Sequence, residues 1–176
     1  MRDTFQTIRL PLLAAAFLLA GCASDPAPGL VTAFTDSDFH YWQGPGAANL
    51  AGQAFYRLPS GRVVTCAGES VTLIPATGYN TELEQALSAG KGYPANYDRK
   101  AHTYNRTTLC DGAGRFSFEK VPTQNWIVLT RVTWQEPSSI PYMSSDAAGY
   151  LYQEIKLAEG DNKLILSNLD FVEDDN

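Results

Sequence analysis

Two histidines and a group of tyrosines are the side chains of this 176-residue sequence whose types suit chemistry or ligand contact. His40 lies in the stretch DFHYW and His102 in KAHTYN. A metal-dependent enzyme that uses both is one hypothesis, but the sequence has no close His-x-His pair. It also lacks the G-x-S-x-G motif of many hydrolases. We therefore expect exposed or edge histidines, and no catalytic residue, metal site or cofactor.

The tyrosines are Tyr79, Tyr93, Tyr97 and Tyr104, which follow one another along one segment of the chain. Aromatic faces presented by a loop can stack on sugars or contact a protein partner. The four residues are therefore candidate ligand-binding residues of a carbohydrate- or peptidoglycan-binding domain. The alternative is that they cover an edge of the folded domain.

The composition indicates a folded, acidic domain. Apolar residues make up 44% of the chain, charged residues 18%, and the formal net charge is −6. Nucleic acid is not an expected partner, because phosphate binding needs clustered Lys and Arg residues and the sequence has no such cluster.

Short runs rich in β-branched and aromatic residues predict strands along most of the chain. These runs are 51–58, 62–68, 70–76, 103–110, 115–121, 125–135, 150–157 and 163–171. The turn residues of DGAG predict a hairpin of 103–110 with 115–121, and those of AEGDN a hairpin of the last two runs. In 125–135, we expect Trp126, Val128, Thr130, Val132 and Trp134 to face the core.

One helix is predicted over 81–90, with Thr81 and Glu84 as a capping box and Gly90 at its end. About seven short strands and one inserted helix predict an all-β fold. We expect an antiparallel two-sheet sandwich of the transthyretin-like or immunoglobulin-like kind.

The N-terminus has the features of a secretory signal peptide, a basic start followed by a short apolar run. The run ends in Leu19-Ala20-Gly21-Cys22, which is similar to the bacterial lipobox L-[AS]-[GA]-C. This resemblance implies removal of residues 1–21 and acylation of Cys22. Because Ala23 and not Asp follows the cysteine, the pattern resembles that of proteins anchored in the outer membrane, here facing the periplasm.

The mature chain is then expected to have three parts. Residues 22–49 would be a lipidated tether and N-terminal extension, with the Pro-rich stretch 23–33 as spacer. Residues 50–172 would form the sandwich and 173–176 an acidic tail.

Two stretches resemble carboxypeptidase-regulatory-like domains, which have a transthyretin-like (prealbumin-like) sandwich. GQAFYRLPSGRVVTCAGESVTLIPAT is similar to their opening, and TTLCDGAGRFSFEKVPTQNWIVL to their signature T-D-x-x-G-x-F-x-F-x-x-[LV]-P-x-G-x-Y. The matching positions are Asp111, Gly114, Phe116, Phe118, Val121 and Pro122. Gln124 replaces the usual Gly, and the helix segment is an insertion. The fold that this resemblance implies serves as a spacer or binding module and only rarely as an enzyme.

Cys66 and Cys110 each end a predicted strand, and outside the cytoplasm such thiols usually pair. A disulfide between them would contribute roughly 4 kcal/mol in the chain-entropy view. Two separate buried thiols are the alternative.

Together these features predict a non-enzymatic, lipid-anchored module of the cell envelope with a binding or structural role. Its expected partners are the membrane, through the lipid, and an unidentified envelope protein or glycan.

Overall fold

Nine strands in two sheets make up about half of the computed structural model of the chain, which describes residues 29–89, 92–137 and 144–173. The predicted signal peptide, Cys22, Gly90 and residues 174–176 of the predicted tail lie outside the described residues. The all-β two-sheet sandwich with a short inserted helix is confirmed. The strand count in the described part is nine, slightly above the expected number.

Strand β1 is the centre of the smaller, four-stranded sheet. It pairs with β2 and β5 in antiparallel fashion and with β8 in parallel fashion. The bounds are β1 Ala48–Arg57, β2 Val63–Thr65, β5 Arg115–Val121 and β8 Gly160–Leu166. Among the strand pairs of the described residues, β1–β8 is parallel and the others are antiparallel.

The other sheet has five strands in the order β4-β3-β6-β7-β9, all antiparallel. The bounds are β3 Ser70–Pro75, β4 Arg106–Leu109, β6 Asn125–Pro137, β7 Ser144–Lys156 and β9 Phe171–Glu173. The long β6–β7 hairpin lies in the middle of this sheet. The outer face of the sheet carries the groove described below.

The main core lies between the sheets and is built by alternation along the strands. As predicted for β6, Trp126, Val128, Thr130 and Val132 are buried, and Trp134 packs at the margin of the core. The Trp126 indole Nε1–H donates to the Pro122 carbonyl at 2.9 Å. Burial of the ring therefore leaves no unsatisfied donor.

The disulfide prediction is confirmed, because Cys66 and Cys110 are bonded with their Cα atoms 5.7 Å apart. Cys66 follows β2 of the smaller sheet, and Cys110 follows β4 of the larger one. Both cysteines are buried. The bridge therefore ties the two sheets together at one end of the sandwich.

Both predicted inter-strand hairpins are wrong, although their turns form. The Asp111 N–H donates to the Arg115 carbonyl at 2.8 Å, so the chain does reverse there. β4 nevertheless pairs with β3, and β5 pairs with β1 in the other sheet. After β7 the chain likewise crosses to the other sheet, where β8 pairs with β1. Turn residues specify where the chain reverses, whereas pairing is decided by which apolar faces meet in the core.

Helix α1 spans Gly78–Ser88 and begins earlier than predicted. The Thr77 side chain caps it by accepting from the Asn80 N–H at 3.2 Å. Thr81 is already inside the helix, since its N–H donates to the Thr77 carbonyl. The proposed capping box of Thr81 and Glu84 is therefore wrong, and the Glu84 side chain is free for another role.

The N-terminal segment packs against the domain from Gly29 onward, which corrects the tether prediction for residues 29–33. The Asn96 amide accepts from the Leu30 N–H at 2.7 Å and donates to the Leu30 carbonyl at 2.8 Å. The Glu82 carboxylate accepts from the Val31 and Thr32 N–H groups. Phe39, in the 3-10 helix Asp36–Trp42, is fully buried.

Phe39 belongs to a smaller apolar cluster beside the main core, which we call the second cluster. Its buried members are Leu30, Phe39, Tyr79, Leu83 and Ala101, with Phe34, Leu87, Tyr97 and Tyr104 packed against them. The cluster joins the N-terminal segment, α1 and the 3-10 helix Arg99–Tyr104. Residues 29–47, which precede β1, are therefore an integral part of the folded domain.

Candidate binding groove

A groove of about 540 Å³ lies on the outer face of the five-stranded sheet, and we call it the outer groove. The strand register forms its floor. Thr72 of β3 is paired with Leu129 of β6, which is paired with Tyr152 of β7, so these three side chains form a row. Tyr150, on the same face of β7 as Tyr152, is paired with Val172 of β9.

The walls come from elements inserted between or added to the strands. Helix α1 supplies Leu83, Glu84 and Leu87, and the segment after it supplies Tyr93, His102 and Asn105. The complete lining is Thr72, Ile74, Leu83, Glu84, Leu87, Ser88, Gly92, Tyr93, His102, Asn105, Leu129, Tyr150, Tyr152, Val172 and Glu173. An apolar and aromatic surface with a few polar groups is typical of small-ligand sites.

Glu84 is the unusual charged group of the outer groove. Burial raises the pKa of its carboxyl from the ordinary 4.5 to about 7, because the ionised form is poorly solvated there. No side chain or backbone group in the described part of the chain donates a hydrogen bond to it. The pKa of Tyr152 is raised by burial and then by the Glu84 charge. The groove therefore holds a carboxyl group that lacks a partner.

His102 and Asn105 form a polar pair on the opposite wall. The Asn105 Nδ2 lies 3.3 Å from His102 Nδ1, while Asn105 Oδ1 is buried and has no partner within the described residues. Burial, and then the charge of Arg99, lower the pKa of the His102 imidazole, which favours its neutral form. The pair therefore brings one imidazole and one amide group to the lining of the groove, while Asn105 Oδ1 itself lies beneath the surface.

The four predicted tyrosines divide into two pairs. Tyr93, which is 59% exposed, stands at the groove, and its ring lies 4.9 Å from that of Tyr97. The Tyr97 ring in turn lies 5.4 Å from His102. Burial raises the pKa of Tyr97 to about 12, and its hydroxyl is buried without a partner among the described residues. Tyr93 is therefore placed for ligand contact, while Tyr97 packs behind it against the second cluster.

Tyr79 and Tyr104 belong to the second cluster and lie outside the lining of the outer groove, so their predicted ligand contact finds no support there. Tyr79 is 2% exposed, and its hydroxyl oxygen accepts from the Asp98 N–H at 2.7 Å. The Tyr104 ring is half-buried and stacks on Phe39 at 4.5 Å, and its hydroxyl donates to Asp36 Oδ1.

Sequence reasoning missed Glu84, Asn105, Tyr150 and Tyr152. The alternation of YLYQE was a usable signal, because it places Tyr150 and Tyr152 on one face of a strand. Glu84 was missed because its position, three residues after Thr81, predicts a role in a helix capping box. No sequence pattern singles out Asn105, because its hydrogen bonding depends on which residues lie beside it in the folded protein.

The two histidines lie in different surroundings. His40 Nδ1 pairs with the Ser37 carbonyl, and its ring lies 3.6 Å from that of Tyr41. His102 lines the outer groove. Within the described ranges, no group of three or more His, Cys, Asp or Glu residues is placed to hold a metal ion.

A second hollow, of about 780 Å³, lies at the far end of the β6–β7 hairpin. Its lining includes Arg131, Trp134, Glu136 and Asp146 and is mostly polar. Residues 138–143 next to it are outside the described part of the chain. The outer groove is the better candidate site, because it combines apolar and aromatic side chains with the largely buried Glu84 carboxyl group.

Comparison with known proteins supports the fold. No protein-family model and no curated protein match the chain. A crystal structure of a "putative carbohydrate binding protein" from Pseudomonas aeruginosa is similar, with a TM-score of 0.65 at 21% identity. The match covers 77% of this chain and 97% of that one. At this identity the likeness shows a shared fold, and the resemblance to carboxypeptidase-regulatory-like domains stays a prediction.

No helix in the part of the chain that the structure describes has the length and apolar character needed to cross a membrane.

Proposed function

We propose that this protein is a non-enzymatic binding module of the cell envelope and that the outer groove is its ligand site. The observation that carries the proposal is the groove itself, an apolar and aromatic concavity on the face of a sheet with the Glu84 carboxyl group in its lining. No group in the described part of the chain donates a hydrogen bond to this carboxyl, so a donor on a ligand can pair with it.

A carbohydrate is the ligand class that the lining suits best. Tyr93, Tyr150 and Tyr152 offer aromatic surface, while His102 and Asn105 offer hydrogen-bonding atoms. Sugars present apolar ring faces together with hydroxyl groups, so both kinds of surface would be used. The Pseudomonas aeruginosa neighbour, itself described as a candidate for carbohydrate binding, is consistent with this proposal.

The anchor in this proposal is a lipid on Cys22. The support is the Leu19-Ala20-Gly21-Cys22 sequence after a short apolar run, together with a disulfide that uses the other two cysteines. Several acyl chains, at about 0.8 kcal/mol per buried methylene, would hold the protein stably on the outer membrane.

The binding test compares two exposed tyrosines. Tyr93→Ala removes a ring at the groove, and Tyr41→Ala removes a ring of similar exposure, 62% against 59%, outside its lining. We expect Tyr93→Ala to weaken binding of β-1,4-linked oligosaccharides roughly three- to tenfold, because an aromatic contact contributes about 0.5–1.5 kcal/mol. Tyr41→Ala should have no effect. Equal losses, or no binding by the unaltered protein, would contradict the carbohydrate proposal.

The anchor is tested by Cys22→Ser in whole cells. We expect the variant to leave the membrane fraction, since no acyl chain can be attached to serine as a thioether. Membrane association equal to that of the unaltered protein would contradict lipidation. A photo-crosslinker placed at Tyr93 in the same cells would show whether the groove contacts a protein instead of a glycan.

A further inference from the structure

We infer that the outer groove selects sugars that carry a free, protonated amine over their acetylated or hydroxylated counterparts. The inference rests on the proposed function, in which the groove is the ligand site. It adds the chemical class of sugar, which follows from the charge and hydrogen-bonding state of the lining.

The first argument is charge. The lining contains two carboxyl groups, Glu84 and Glu173, and none of its members is Lys or Arg. The remaining titratable members are Tyr93, Tyr150, Tyr152 and His102, and the lowered pKa of His102 favours its neutral form. Within the lining, an anionic sugar would therefore meet only carboxyl groups, whereas a cationic one would meet opposite charge. Two arginines lie beside the lining and not in it: Arg131, in register with Tyr150, and Arg99, whose charge acts on His102.

The second argument is the state of Glu84. Its carboxyl group is largely buried between α1 and the sheet, and no donor in the described part of the chain pairs with it. A buried ionised carboxyl without a partner is unstable, so the group is held partly neutral. An ammonium group beside it would supply the missing partner and stabilise the ionised form.

The third argument explains why the amine should be on a sugar. The floor row of Thr72, Leu129 and Tyr152 contributes a β-branched, an aliphatic and an aromatic side chain, on which the apolar face of a pyranose ring can pack. The His102 imidazole also lines the groove and can form a hydrogen bond with a hydroxyl of the same ring. A simple alkyl amine offers neither the ring face nor the hydroxyl.

The experiment is calorimetric titration of the full-length protein in mild detergent with three β-1,4 tetramers. They contain glucosamine, N-acetylglucosamine or glucose, and differ only in the group at carbon two. We expect the glucosamine tetramer to bind at least about tenfold more tightly, since a charge-assisted hydrogen bond contributes about 1.5–3 kcal/mol. The peptide Gly-Lys-Gly, which has an amine but no sugar ring, should bind no better than the glucose tetramer.

Two variants that each remove one negative charge separate local from long-range effects. Glu84→Gln should abolish the preference for glucosamine. Glu119→Gln, on the exposed side of β5 in the other sheet, should keep it. If both variants lose the preference equally, the general charge of the protein is responsible and the inference is overturned.

The outcomes also distinguish the inference from the proposed function. If all three tetramers bind equally and Tyr93→Ala weakens each of them, the groove binds sugars and amine selection is overturned. If no tetramer binds, the carbohydrate proposal fails and the inference fails with it. Tight binding of Gly-Lys-Gly would overturn the requirement for a sugar ring.

Discussion

Glu84 lies in the lining of the outer groove, where burial raises the pKa of its carboxyl group to about 7. Its position follows from the start of α1 at Gly78, which is four residues earlier than a cap at Thr81 would allow. Glu84 therefore faces the groove and does not close the end of the helix. Helix ends cannot be placed to within a turn from sequence when two threonines compete for the cap, as Thr77 and Thr81 do here.

The raised pKa of Glu84 makes the stability of the protein dependent on pH. In the unfolded chain the carboxyl loses its proton near 4.5, whereas in the folded protein it keeps the proton up to about pH 7. The unfolded state therefore binds fewer protons between these values, and stability falls as the pH rises through them. The loss is up to about 3 kcal/mol.

The variant Glu84→Gln should remove this loss. Measured by urea unfolding at several pH values, it should match the unaltered protein near pH 4.5 and exceed it above about pH 7. His102 and the other titratable groups are present in both proteins, so the difference between the two curves isolates Glu84. Parallel curves across the range would contradict a buried, unpartnered carboxyl.

At the scale of elements, residue patterns identified most strands but not their partners. The alternation in β6 correctly predicted the core face from Trp126 to Val132. The turns at Asp111 and near Gly160 were also real. Sheet membership was not predictable from these signals, because a turn between two sheets and a turn within one sheet use the same residues.

The cap of α1 gives a prediction with a built-in control. Thr77→Ala removes the side chain that accepts from the Asn80 N–H and should cost about 1 kcal/mol of unfolding free energy. Thr81→Ala, at the position that sequence reasoning favoured, should change stability little, because alanine is a good helix former. Denaturant unfolding measures both. A larger loss of unfolding free energy for Thr81→Ala than for Thr77→Ala would identify Thr81 as the cap instead.

The packing of the N-terminal segment against the domain could not be predicted from its own residues. Pro26, Pro28 and Gly29 suggested a spacer, yet Leu30 is buried and its backbone is paired with Asn96. This packing depends on Asn96, which is distant in the sequence, so no local sequence pattern predicts it.

Asn96→Ala should release this segment without unfolding the sandwich. Each lost hydrogen bond contributes about 1 kcal/mol, so amide exchange at Leu30–Thr32 should become roughly tenfold faster or more. Asn168→Ala is the control, because Asn168 makes the same two bonds to the backbone of Arg57 at the other end of the fold. Unchanged exchange after Asn96→Ala would show that the segment is held by other contacts.

At the scale of the whole molecule, the disulfide joins the two sheets, and its pairing was predictable from compartment and count. Replacing both Cys66 and Cys110 by Ala should lower the free energy of unfolding by about 2–4 kcal/mol. Ligand binding at saturating concentration should be retained, since neither cysteine lines the outer groove. Denaturant unfolding and calorimetry check the two parts. Loss of binding in a folded variant would show that the bridge shapes the groove.

The sandwich was predictable from the sequence, whereas the groove was not, and the lipid anchor stays a prediction. The groove is formed by α1, the segment 92–105 and the outer face of a sheet whose strands are distant in sequence. Only the register of β3, β6 and β7 brings Thr72, Leu129 and Tyr152 into one row.

The most direct test of the account is to map where a ligand binds. Backbone amide shifts of the full-length isotope-labelled protein would be followed by NMR during titration with the glucosamine tetramer. We predict that the largest shifts fall on Thr72, Leu129 and Tyr152 and on the 3-10 helix Arg99–Tyr104, with Ile165 on the opposite sheet unchanged. Shifts centred on the four-stranded sheet, or on the far end of the β6–β7 hairpin, would contradict the outer groove as the binding site.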